Sequence, residues 1–108
     1  MFIYKNCGCS ARKNKVSIPT GKIQKIAGLL KLVSVPSRLS ILLLLNTGPH
    51  CVCDIIAHLK MSQTLASHHL SDLTKANLVT SEKKGNFMYY SLTNKGKELV
   101  SHLKQLTT

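Results

Sequence analysis

Two short amphipathic segments, separated by almost no chain, restrict the folds open to this sequence of 108 residues. In residues 51 to 60 the apolar side chains recur every three or four positions, which is the spacing of one helix face. A second such segment follows Ser62, whose hydroxyl can accept a backbone N–H and so begin a helix. Only Met61 and its neighbours lie between the two segments. Residues 51 to 75 are therefore predicted to form a helix-turn-helix.

The flanking segments predict the rest of the architecture. Apolar residues at helical spacing predict a helix over residues 23 to 33, and Pro36 suits the first turn of another helix that continues to residue 45. Residues 78 to 82 and 87 to 92 predict two strands joined by a tight hairpin, because the Gly-Asn pair suits its tip. A last helix is expected from about Thr93. We expect a mostly α fold with a small β-hairpin (α+β), arranged as a dimeric winged helix-turn-helix.

The charge of the chain is strongly positive. Fifteen Lys and Arg residues against four Asp and Glu give a formal net charge of +11. Residues 1 to 22 carry five of these cations and no acid, so we expect a basic N-terminal arm over residues 1 to 22 and a folded domain over residues 23 to 108. Four carboxylates leave little material for acid–base chemistry, and the chain is not expected to be an enzyme or to hold an organic cofactor.

The apolar runs are short. None approaches the roughly 20 residues that a membrane-spanning helix needs, and the N-terminus lacks the apolar region of a secretory signal. We therefore expect a protein of the reducing cytoplasm with no membrane partner.

The positive charge and the helix after Ser62 together indicate a double-stranded DNA partner. In a helix-turn-helix the second helix enters the major groove, and a basic hairpin can approach the phosphate backbone. The residues expected to contact base edges or phosphates are Gln63, Thr64, Ser67, His68, Ser71, Lys83 and Lys84. Arg38, Lys60 and Lys75 are further candidates for phosphate contacts, and the inward face of the helix is expected to be Leu65, Ala66, Leu70 and Leu73. The alternatives are a merely solvated polar face and an RNA surface, although RNA binding favours more exposed aromatic side chains.

A single reading helix covers only a short DNA site. We therefore expect a homodimer on a pseudo-palindromic operator. The first and last helices are the expected dimer surface, because so short a chain offers their apolar faces no other partner.

Four cysteines occur as two Cys-x-Cys pairs, Cys7 with Cys9 and Cys51 with Cys53. In a reducing compartment such pairs are metal ligands or redox groups rather than a disulfide framework. Residues two apart on a helix point about 200° apart, but Cys51 falls at a helix start, where it can leave helical geometry and let both sulfurs converge. Two thiolates underfill the coordination of a soft ion, so Cys7 and Cys9 are expected to supply the remaining ligands.

Other uses of these cysteines stay open. A reversible dithiol/disulfide sensor needs the same atoms, and a structural zinc site would make folding depend on metal. Small buried side chains with an incidental pair in the tail would need no ligand at all. Among the five histidines only His50 is a candidate auxiliary ligand, because it precedes Cys51.

Three segments carry a resemblance to a known family: Cys51-Val-Cys-Asp-Ile-Ile, Ser62-Gln-Thr-Leu-Ala-Ser-His-His-Leu and Lys83-Lys-Gly-Asn-Phe-Met-Tyr-Tyr-Ser-Leu. Over residues 24 to 106 the chain resembles the ArsR/SmtB family of metal-responsive repressors. The resemblance implies a dimeric winged-helix repressor that binds its operator as the apoprotein. It also implies release by a soft metal or metalloid ion, Cd(II), Pb(II), Zn(II), As(III) or Sb(III).

The resemblance also bears on which ion is bound. In the family's arsenic sensors a third Cys stands three residues after the second, where this chain has Ile56, so a trithiolate As(III) site would need Cys7 or Cys9. The cadmium/lead sensors combine the central pair with two N-terminal cysteines, which favours that branch, although Cys7 and Cys9 are more closely spaced than in the family pattern. Asn94 and Gly96 replace ligands that other members carry on the last helix, so no metal is expected there.

Overall fold

The computed structural model describes residues 16 to 107 and contains five helices and one small sheet in that range. The elements in chain order are α1 (Thr20–Val33), α2 (Pro36–Leu45), β1 (His50–Cys51), α3 (Val52–Leu59), α4 (Gln63–Lys75), β2 (Val79–Lys84), β3 (Phe87–Leu92) and α5 (Asn94–Leu106). This order confirms the expected winged helix-turn-helix, with one strand more than the sequence pattern predicts. The helix α1 begins at Thr20, three residues before the apolar spacing indicates.

Local sequence explains where the helices begin. Pro36 opens α2, where its missing N–H leaves no hydrogen bond unmade. Ser62 Oγ accepts the Leu65 N–H at 3.1 Å to cap α4, and Thr93 Oγ1 accepts the Gly96 N–H at 3.0 Å to cap α5. The two polar caps therefore fix the first turns of the two helices that flank the hairpin.

The sheet has the order β1-β3-β2 and is antiparallel throughout. Lys84 pairs with Phe87 across a two-residue turn, in which Gly85 adopts a φ of 62° that suits glycine. The strand β2 therefore continues to Lys84 rather than ending at residue 82. The strand β1 is only two residues long, too short for alternation to reveal it, and it pairs Cys51 with Tyr89.

The core lies where α2, α3, α4, α5 and the base of the hairpin meet. Its fully buried members include Ile41, Leu42, Ile55, Leu70, Leu73, Leu78, Val79 and Val100. In contrast, Val33 is the one buried residue of α1. The side chains of Ile23, Ile26 and Leu30 on that helix stay about half exposed. An apolar face of α1 is therefore open to solvent in the single chain.

Within residues 16 to 107 no single helix has the length and apolar character to span a membrane. The helices α1 and α2 meet the criterion only when taken together, and an 88° bend separates them.

Candidate nucleic-acid interface and thiol site

The turn between α3 and α4 is three residues long. Lys60 ends α3 in the left-handed region, with φ 52° and ψ 47°, and Ser62 already caps the next helix. A reversal this short makes the position of α4 depend directly on α3.

The outer face of α4 carries the side chains that the sequence predicts for DNA contact. All five, Gln63, Thr64, Ser67, His68 and Ser71, are exposed, while Ala66, His69, Leu70 and Leu73 are buried. The expectation that Leu65 points inward is wrong, because its side chain is 40% exposed. Leu65 lies one residue, about 100° of helix rotation, from the buried Ala66 and so falls at the margin of the inner face.

Arg38 attaches this helix to the rest of the domain. Its guanidinium donates to Asp72 Oδ2 at 2.6 Å and to His69 Nδ1 at 3.1 Å, both on α4, and to the Leu32 carbonyl oxygen of α1 at 3.1 Å. The side chain of Arg38 is only 15% exposed. These bonds hold Arg38 within the domain, and its contact with phosphate stays a prediction. No local sequence pattern predicts this network, because Arg38 lies 34 residues from Asp72.

His69 is the buried polar residue of this network. Burial lowers the pKa of His69 below 6.5; the Arg38 guanidinium and His68 lower it further, and Asp72 opposes them. The neutral ring suits the contact, because His69 Nδ1 must accept the Arg38 Nε–H.

The hairpin presents both predicted lysines to solvent. Lys84 Nζ lies 3.5 Å from Glu82 Oε1 and 5.7 Å from the centroid of the Tyr89 ring. Lys83 follows Glu82 on the opposite face of the strand, because successive strand residues alternate. The two lysines thus differ in their surroundings, and Lys84 is the one with an acidic neighbour.

The two sulfurs of the central cysteine pair meet at the start of α3. Cys51 is the N-cap, with φ −77° and ψ 161°, and Cys53 lies in the first turn. Their Sγ atoms form a disulfide, and their Cα atoms are 5.3 Å apart. Donor atoms of Cys51, Cys53 and Asp54 all lie within 4.8 Å of one another. The expected convergence at a non-helical first residue is thus observed.

The other pair, Cys7 and Cys9, lies outside the described residues. Their role as ligands stays a prediction.

Two histidines lie beside Asp54, the residue that follows Cys53. His50 Nδ1 lies 3.7 Å from Asp54 Oδ2, and His50 Nε2 lies 3.0 Å from Thr47 Oγ1. His58 Nδ1 is 3.0 Å from the Asp54 carbonyl oxygen, and its ring centroid is 6.0 Å from that of His50. Spacing of four residues between positions 50, 54 and 58 is the signal that could have revealed this arrangement.

Comparison with known proteins identifies the family of this chain. Residues 35–81, from the end of the α1–α2 connection into β2, match the family described as "Bacterial regulatory protein, arsR family". The chain is 42% identical over 82 residues to an arsenical resistance operon repressor of Staphylococcus xylosus, and the match covers 76% of each protein. The chain belongs to the ArsR family of bacterial regulators.

A further sequence relative and two solved structures are also similar to this chain. A homolog of the repressor SmtB from Synechocystis is 33% identical over 87 residues, covering 76% of this chain and 66% of that protein. The structure of reduced HlyU from Vibrio cholerae superposes with a TM-score of 0.73 at 28% identity, covering 81% of this chain and 93% of that one. A homodimeric winged helix-turn-helix domain from Mycobacterium bovis gives 0.70 at 28% identity, covering 93% and 87%.

Family membership and fold together give the general function. The chain is a DNA-binding transcriptional repressor of the ArsR family with a winged helix-turn-helix, and its homologues and fold are those of regulators rather than enzymes.

Proposed function

We propose that this chain is a metal(loid)-responsive repressor that binds operator DNA as a homodimer and is released when a soft ion binds its cysteine thiolates. The observation that carries the proposal is the meeting of the Cys51 and Cys53 sulfurs beside Asp54 at the first turn of α3. The arsenical resistance and SmtB names of its relatives support an ion as the effector.

The chemistry of the pair suits a soft ion. Unpaired N–H groups at a helix N-terminus favour a thiolate over a thiol, and soft ions favour thiolates over oxygen or nitrogen ligands. The ion-binding form is the reduced one, because a sulfur in a disulfide no longer has a thiolate charge to offer. Cys7 and Cys9 are proposed as the further ligands for Cd(II), Pb(II) or As(III).

Contact with DNA is assigned to α4 and the hairpin. The exposed polar side chains of α4 have the donors and acceptors needed at base edges, and Gln63 can pair with adenine. Lys83 and Lys84 at the hairpin supply charge for phosphates, which provide affinity without sequence preference.

Dimerisation is assigned to α1 and α5. Ile23, Ile26 and Leu30 are 47%, 49% and 51% exposed, and Leu106 on α5 is 80% exposed. Exposed apolar residues on two helices form a surface that a second copy can bury. The homodimeric state named for the Mycobacterium bovis domain supports this arrangement.

A change at the thiol pair can reach both DNA-contacting elements. A turn of three residues joins α3 to the reading helix α4. Cys51 also pairs with Tyr89 of the hairpin, and the Tyr89 ring lies beside Lys84. An ion that alters the start of α3 would therefore shift α4 and the hairpin in each subunit. Coupling of this kind is worth about 1–3 kcal/mol in typical allosteric proteins.

The test uses the reduced, full-length protein and a DNA duplex selected from random sequence by the ion-free protein. Replacing Cys51 and Cys53 with Ser should leave affinity for that duplex unchanged and abolish release by Cd²⁺, Pb²⁺ or arsenite. Fluorescence anisotropy measures both quantities. Normal release by the double variant would refute the proposal.

The disulfide favours a second candidate, a thiol-redox repressor. The two thiols would each lose one proton and one electron to a peroxide, giving one disulfide and two waters. With a chelator present, this candidate predicts that hydrogen peroxide releases the wild-type protein from DNA and that a reductant restores binding. If ions release the protein from DNA and hydrogen peroxide does not, the result supports the metal(loid)-responsive repressor.

A further inference from the structure

Two large apolar side chains stand at the tip of the hairpin, outside the core. Phe87 and Met88 directly follow the two-residue turn, and they are 55% and 38% exposed. Neither belongs to the hydrophobic core that residues 16 to 107 form. They also lie on a different element from the exposed apolar side chains of α1 and α5 that are assigned to a second copy. The two side chains at the tip are therefore open to contact with another molecule.

The charges around Phe87 indicate what that molecule is. Phe87 pairs with Lys84 across the turn, so both side chains lie on one face of the ribbon, while Lys83 and Met88 share the other face. Glu82, the single acid of the hairpin, lies on the Phe87 face but roughly 7 Å farther from the turn than Lys84, given the rise of a strand. An aromatic ring between two cations, with the acid set back, suits a polyanion that has apolar surfaces between its phosphates. Duplex DNA is such a polyanion.

The dimensions of the hairpin decide which part of the duplex Phe87 can reach. Three residues join α4 to β2, so with α4 in the major groove the tip of the hairpin meets the adjoining minor groove. The two strands are about 4.8 Å apart before side chains are added, and the minor groove is only about 6 Å wide, so the ribbon itself cannot enter. A side chain at the tip can enter. Proteins that place Phe, Leu, Ile or Met in this groove part the stacked base pairs and kink the duplex.

We infer that Phe87 is a wedge, whose ring enters the minor groove beside the α4 contact, inserts at one base-pair step and bends the operator. This inference rests on the proposed contact of the hairpin with DNA. It goes beyond that contact, because phosphate contacts carry no direct sequence information. Pyrimidine–purine steps unstack most easily, so the wedge selects such a step at a position that no hydrogen bond reads.

The test uses reduced, full-length protein and the duplex that it selects from random sequence. Energy transfer between fluorophores at the two ends of the duplex measures the bend, and a fluorescent adenine analogue at successive positions brightens where the stack opens. We expect Phe87→Ala to remove both signals and to lower affinity by about tenfold, within the range for a side chain stacked on a base. Phe87→Leu keeps a shorter apolar wedge and should keep part of the bend.

Leu43→Ala is the matched control. Leu43 is also a large apolar residue, 47% exposed, but it lies on α2, which is not assigned to DNA. This variant should bend and bind the duplex as the wild type does. Sedimentation velocity on the same proteins tests the other occupant of the tip, a second copy of the chain, and a loss of mass in Phe87→Ala with an unchanged bend would assign Phe87 to that contact instead.

The bend separates this inference from the proposed phosphate contact of the hairpin. A duplex that stays straight with the wild-type protein overturns the wedge, as do equal bends and affinities in Phe87→Ala and Leu43→Ala. If Lys83→Ala still weakens binding in either case, the phosphate contact stands without the wedge. If neither Phe87→Ala nor Lys83→Ala changes DNA binding, the contact of the hairpin with DNA is itself overturned.

Discussion

The lack of a side chain at Gly96 allows the last helix to pack closely against the backbone at the start of the hairpin. A Cβ at this position would collide with the Leu78 carbonyl oxygen, which is already held by the Thr93 N–H at 3.0 Å. Glycine early in a helix is costly on propensity alone, and the collision explains why this position has no side chain.

Gly96→Ala is therefore expected to lower the free energy of unfolding by about 1–3 kcal/mol, the usual cost of overpacking. Gly28→Ala on α1 is the control, because a Cβ there meets nothing within 4 Å. The control should be neutral or raise stability by up to about 1 kcal/mol. Urea unfolding at one fixed protein concentration measures both, and equal stabilities would contradict the packing described.

His69 makes stability depend on pH. Its pKa is lowered in the folded state, mainly by burial, so between that value and 6.5 the unfolded chain binds more protons. The contribution of His69 to stability is complete above pH 6.5 and is lost as the pH falls through the lowered pKa of the folded state.

His69→Asn should remove this loss, because Asn can accept the Arg38 N–H through its amide oxygen and does not titrate. His68→Asn changes an exposed neighbour, 68% accessible, and should keep the acid-side loss. Thermal unfolding measured from pH 7.5 to 5 compares the variants. A steeper loss in His69→Asn than in the wild type would show that the network is described wrongly.

At the scale of the elements, the proposed contact between the hairpin and the DNA backbone can be tested at Lys83. Lys83→Ala should weaken binding to all DNA sequences alike and reduce the slope of log affinity against log salt by about 0.9, the value for one phosphate contact on duplex DNA. Lys97→Ala removes an exposed lysine of α5 and should leave that slope unchanged. Anisotropy titrations at several salt concentrations supply the slopes, and identical slopes for the two variants would rule out the contact.

The helices, the hairpin and the turn between α3 and α4 follow from sequence because each depends on residues close together in the chain. Apolar spacing, Ser62 and the Gly-Asn turn are local signals. The convergence of Cys51 and Cys53 was also predictable, since it depends only on where α3 begins. The partners of Arg38 and the pairing of β1 with β3 depend on tertiary contacts between distant residues, and no local pattern encodes them.

At the scale of the whole molecule, the exposed apolar face of α1 is the surface that we propose a second copy buries. Ile26→Glu should convert the proposed dimer to a monomer, because an ionised carboxylate cannot be buried there without a partner. Gln24→Glu adds the same charge to an exposed polar position of α1 and should leave the dimer intact. Sedimentation velocity reports the mass, and a dimeric Ile26→Glu would place the interface elsewhere.

The central claim is that ion binding at Cys51 and Cys53 and DNA binding oppose each other, and such coupling must be reciprocal. The direct measurement is the affinity of reduced protein for Cd²⁺ with and without saturating operator DNA. We predict that DNA lowers Cd²⁺ affinity by about 5- to 150-fold, the same factor by which Cd²⁺ lowers DNA affinity. Equal Cd²⁺ affinities in the presence and absence of operator DNA would contradict the account.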